Sequence, residues 1–130
     1  MRNKNLYPRG ELSLRMVATQ TDGSAAGDIF REWMMHLMDL AAGVAASARS
    51  KGRVATAAVS KLNFVQPVKA GDVVCVYTDI TKTGRTSITV GVEAYVLRRY
   101  LEERVRVTAA EFVVVAVDDE GLPRVLPVAA

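Results

Sequence analysis

Two hydrophobic periods divide the chain. Ile88, Val90, Val92, Ala94 and Val96 alternate with Thr89, Gly91, Glu93 and Tyr95, the period of two that a half-buried strand needs. The same period runs through Leu12, Leu14, Met16 and Ala18 against Glu11, Ser13, Arg15 and Val17. Between these stretches, Trp33 to Ala46 is apolar on every side of a 3.6-residue helix, and such a helix is a buried one. It is predicted over about 29–49, with Asp28 as N-cap and Gly52 as its stop. Arg49 and Lys51 sit near the negative end of its dipole. Further strands are predicted over 53–66, 73–81, 88–96 and 105–117. A loop covers 20–27, a Pro67/Gly71 connection covers 66–72, a tight turn at 82–85 contains Gly84, and 98–104 is a charged turn. Residues 1–9 read as a tail.

The order is one strand, one long helix, then four strands on short connections. Short connections favour antiparallel pairing, since parallel strands need crossovers of about a dozen residues. The pattern therefore reads as an α+β domain with one sheet wrapped on the helix. Five strands cannot cover every face of a helix, so a second copy is expected as the remaining cover.

Composition narrows the class. The 130 residues are half apolar and about a quarter charged, which suits one globular domain. The net charge of +3 fits an anionic small ligand; scattered basic residues and few aromatics do not call for nucleic acid. The lone Cys75 lies in an apolar run and reads as a reduced core cysteine. No signal-like segment and no membrane-length apolar run is found, so a cytoplasmic protein is expected.

The chemistry centres on the helix. Its first turn presents unpaired amides suited to an anion or an oxyanion. Asp39 breaks the apolar pattern, and an unpaired carboxylate in such a setting is costly. Anchoring of a neighbouring loop or subunit and catalysis both account for it. Glu32, His36 and Asp39 fall on one helical stripe, which also allows an acid–base relay. One His and one Cys without ligand spacing do not predict a metal site. Gly84-Arg85-Thr86-Ser87 is a candidate phosphate-contacting turn, and Arg53 and Arg85 are candidate phosphate forks.

Gly10-Glu11-Leu12, Gly27-Asp28-Ile29-Phe30, Met38-Asp39, Gly52-Arg53, Phe64, Pro67-Val68, Gly71-Asp72-Val73-Val74 and Ala116-Val117-Asp118 occur in an order and spacing that resembles the YciA-type hotdog-fold acyl-CoA thioesterases. The resemblance implies a single hotdog domain over 1–130, one long central helix wrapped by a five- to six-stranded antiparallel sheet. It implies hydrolysis of an acyl-CoA thioester to free acid and CoA, with no cofactor beyond the CoA of the substrate itself. It also implies a homodimer as the minimal unit, further assembled as a trimer of dimers, with sites between protomers and no membrane partner. Asp39 takes the family's catalytic position, as general base or nucleophile. The amides around Arg31 and Glu32 would hold the oxyanion. Asp28, Ile29, Phe30, Trp33, Arg53, Phe64, Gly84, Arg85, Thr86 and Ser87 would bind substrate. The chain departs from the family at Ser24 and Ala26 (asparagines), Arg31 and Glu32 (glycines) and His36 (glutamine). These departures crowd the helix start and imply an altered activity; an acyl-CoA-binding protein with weak or lost catalysis is the alternative.

Overall fold

A computed structural model describes residues 8–19, 23, 24, 29, 31–98 and 104–128. The predicted N-cap Asp28, together with Ala26, Gly27 and Phe30, lies outside the described residues. The described elements are β1 (Glu11–Val17), α1 (Arg31–Ser50), β2 (Val54–Phe64), β3 (Val73–Thr83), β4 (Ser87–Leu97) and β5 (Val105–Ala116). The five strands form one antiparallel sheet in the order β1-β3-β4-β5-β2, so the strands flanking the helix in sequence become the two edges.

The alternation of β4 puts Ile88, Val90, Val92, Ala94 and Val96 on the inner face, all buried. Val74 and Val76 of β3 and Phe112 and Val114 of β5 join them. Against this face α1 lays Met34, Leu37, Met38, Ala41, Ala42 and Ala46, a stripe at three- and four-residue spacing. The alanines keep its last turns close to the sheet. The opposite stripe is not covered: Leu40 is 46% and Val44 60% exposed. The sheet thus buries one face of the helix, and the all-round burial read from the sequence is not met within one chain.

Three local readings are corrected. In β1, Leu12 pairs with Tyr77 but Leu14 pairs with Val76, so a bulge at Ser13 breaks the alternation and separates Leu12 from Leu14 and Met16. Helix α1 begins at Arg31, not Ile29: Ile29 instead bridges Gly23 in an antiparallel pair, and its amide donates to the Val68 carbonyl at 2.8 Å. At the other end Lys51, not Gly52, adopts the left-handed backbone (φ 59°), and its amide bonds Ser47 O at 2.8 Å. Gly52 leaves room for another side chain: a Cβ there would stand 2.5 Å from the Arg124 guanidinium. That guanidinium caps the helix, donating to Ser50 O at 3.0 Å and to Val117 O at 3.0 Å. Arg49 donates to Pro127 O at 2.9 Å, so the C-terminal segment is laced to the helix end.

The β3–β4 turn also shifts. β3 runs to Thr83 and the turn closes over residues 84–87, where Gly84 N donates to Ser87 O at 2.8 Å. Cys75 is fully buried and unpaired, as a core cysteine should be. It lies on the outer face of the sheet beside Tyr77 and Tyr95, whose rings meet edge to face at 5.7 Å.

Candidate active site

Asp39 sits in the third turn of α1, on the uncovered stripe. The first inward residue pairs of β2 place Val54 opposite Ala116 and Thr56 opposite Val114, so Thr56 faces the helix. Its hydroxyl donates to Asp39 Oδ1 at 2.6 Å. The other carboxylate oxygen has no partner among the described residues and is free for chemistry. Around the pair lies an open groove of about 640 Å³, lined by Asp39, Leu40, Val44, Arg53, Val54 and Thr56 among others. Thr56 is the partner of Asp39 that sequence reasoning missed; a single threonine in a Val/Ala/Thr strand carries no signal until the register places it.

Glu32 and His36 share the stripe with Asp39 and are exposed, but none of the described hydrogen bonds joins the three. The relay is not assembled, and only Asp39 reaches the groove. Among the described residues no cluster of His, Cys, Asp and Glu could hold a metal ion.

A second hollow, of about 330 Å³, opens at the helix start, lined by Ile29, Arg31, Met34, Phe64, Pro67 and Val68 among others. It brings Ile29 and Arg31 together with Phe64, distant in sequence, and the Arg31 guanidinium lies 5.0 Å from the centroid of the Phe64 ring. One wall is braced from behind. Buried Asp72 pairs with Arg98 at 3.1 Å and accepts the Lys69 amide at 2.9 Å, while Arg98 also donates to Pro67 O. This bracing holds Val68 where its carbonyl meets Ile29.

The remaining candidates are placed elsewhere. Trp33 is half-buried against the core and lines neither hollow. Gly84, Arg85, Thr86 and Ser87 also line neither. Their turn is tied to the end of β5 and the C-terminal segment through Ala116 N to Thr86 O and Leu126 N to Arg85 O, both 2.9 Å. It does stand at the same end of the sheet as Arg53, because Ser87 pairs with Val115 and Val54 with Ala116. Asp28 and Phe30 lie outside the described residues.

A single helix held in a five-stranded antiparallel sheet, with a carboxylate on its open side, defines a hotdog-fold protein of the thioesterase class. The chain belongs to the thioesterase superfamily, whose family profile matches residues 26–103. It is 44% identical to the acyl-CoA thioester hydrolase YciA of Salmonella typhimurium over 124 residues, 93% of each chain. Among solved structures, the hexameric thioesterase of Yersinia pestis is 45% identical with a TM-score of 0.89, covering 95% of this chain and 100% of that one. A hexameric broad-specificity acyl-coenzyme A thioesterase is 42% identical with a TM-score of 0.90, covering 98% of this chain and 89% of that one.

Proposed function

We propose that this protein hydrolyses acyl-CoA thioesters to free acid and CoA, and that the Asp39–Thr56 pair in the open groove carries the reaction. A carboxylate with one oxygen held by a hydroxyl and one free is oriented for a single task. As general base it removes a proton from water; the water oxygen bonds the thioester carbon, and the carbonyl oxygen takes the negative charge. Collapse of that adduct breaks the C–S bond, and the departing thiolate regains the proton. Direct attack by Asp39, with hydrolysis of the resulting anhydride, gives the same products.

The oxyanion needs donors, and the helix-start amides supply them. Asp39 and Arg31 are eight residues apart on one helix, about 12 Å along its axis, too far to address one carbonyl. A second helix lying antiparallel along the Leu40–Val44 stripe would bring the partner's helix start to this Asp39. The working unit is accordingly a homodimer, and the hexameric state of the Yersinia relative supports its assembly as a trimer of dimers. Arg53 beside the groove, and Arg85 at the same end of the sheet, suit the CoA phosphates. No helix among the described residues is long and apolar enough to cross a membrane, and a cytoplasmic place of action fits CoA chemistry.

The test is a panel of short, medium and long acyl-CoAs with a thiol-trapping dye. Release of CoA is expected from the native protein. Asp39→Asn is expected to lower kcat by on the order of 10²–10⁴ with the oligomer intact. Thermal stabilisation by CoA esters with no thiol released at any chain length would instead define a binding protein.

A further inference from the structure

We propose that Arg31 makes the helix-start hollow selective for acyl groups that end in a carboxylate. The inference rests on the acyl-CoA reading above and specifies which acyl groups that site prefers.

Among the described residues that line the hollow, all but Gln66 and Arg31 carry apolar side chains, and Arg31 is the one charged group. Helix stability does not account for an arginine here, since a cation in the first turn opposes the helix dipole. Ion pairing does not account for it either: no carboxylate among the described residues pairs with Arg31, and Glu32 beside it does not. What holds the side chain is Phe64, over whose ring the guanidinium lies at 5.0 Å. A guanidinium on an aromatic face spends its flat side on the ring and keeps its N–H edges available as a fork. That fork matches a carboxylate in two parallel hydrogen bonds.

The dimensions fit a short chain. At the ~30 Å³ a water molecule takes in the liquid, the 330 Å³ hollow holds about ten heavy atoms. With its carbonyl at the helix-start amides, an acyl group of about four to eight carbons would run over Met34 and Val68. Its far end would then come within reach of the fork. A terminal methyl leaves the cation without a partner; a terminal carboxylate satisfies it.

Binding of non-hydrolysable thioethers tests this without turnover. Isothermal titration compares S-hexyl-CoA with the analogue whose terminal methyl is a carboxylate. About tenfold or tighter binding of the carboxylated analogue is expected, consistent with one charge-assisted fork. Arg31→Gln is expected to bring the two within about twofold, and Arg31→Lys to keep part of the preference. The same pair built on pantetheine, which lacks the nucleotide phosphates, identifies the anion. A preference that persists there places it on the acyl chain. Equal binding in the native protein, or a preference that survives Arg31→Gln, overturns the proposal. So does a loss on Arg31→Gln that is equal for both CoA thioethers and absent with pantetheine, which would assign the fork to a CoA phosphate. Binding of neither thioether would remove the acyl-CoA reading as well, whereas binding without preference removes this inference alone.

Discussion

At the scale of single residues, the Asp39–Thr56 hydrogen bond is the contact on which the proposed mechanism rests. A hydrogen bond to a charged group contributes about 1.5–3 kcal/mol, so Thr56→Ala is expected to lower kcat by about 10–100-fold. Thr56→Ser keeps the hydroxyl and should restore most of the rate in steady-state assays. A loss shared by both variants would show that packing, not the hydrogen bond, matters. Tyr95 gives a second residue-level expectation. Burial, reinforced by the negative charge of Glu93, pushes its phenol from the usual 10 up to about 12. The folded value lies above the unfolded one, so the stability tied to the neutral phenol is complete below pH 10 and is lost as pH climbs towards 12. Urea melts across that window should show the decline, and Tyr95→Phe should flatten it. Thr56 and the Arg31–Phe64 stack were invisible in the sequence because both depend on register between distant segments. Asp39 was visible because a carboxylate in an apolar helix is conspicuous wherever it lies.

At the scale of elements, strand and helix identities followed from periodicity, and the errors fell where one residue interrupts a period. A bulge at Ser13 moves Leu12 away from the face its spacing assigns to it, and nothing in the spelling of β1 announces a bulge. The helix end was misread for a related reason. Glycine usually supplies the left-handed stop, but here Lys51 takes it and Gly52 makes room for a side chain from 72 positions onward. That side chain, Arg124, satisfies carbonyls of Ser50, Arg53 and Val117. Arg124→Ala is expected to destabilise the fold by about 2 kcal/mol, a Tm lower by about 5–10 °C in a calorimeter. Because the capped end supports the groove wall at Ser47 and Arg53, the activity of this variant should fall at temperatures well below its Tm.

At the scale of the whole molecule, β2 and the helix stripe beside it leave one side of the chain bare. β2 is an edge strand exposed along nearly its whole length, and Leu40 and Val44 lie uncovered next to it. Edge strands in this state are normally protected or paired. Val44→Asp places a charge in the apolar seam and is expected to shift the protein to monomer in analytical ultracentrifugation, with activity lost in proportion.

The eight-position separation of Arg31 and Asp39 has a genetic consequence. If each reaction centre takes its carboxylate from one subunit and its amides from the other, two dead proteins can rescue each other. Asp39→Asn lacks the base; Arg31→Pro lacks a helix-start amide, at a position where proline is tolerated by the helix. Unfolded and refolded together in equal amounts, half of their dimers are hybrids, each with one intact and one doubly defective centre. Such a mixture should recover about a quarter of native activity, far above either parent alone. Centres confined to single subunits would recover none.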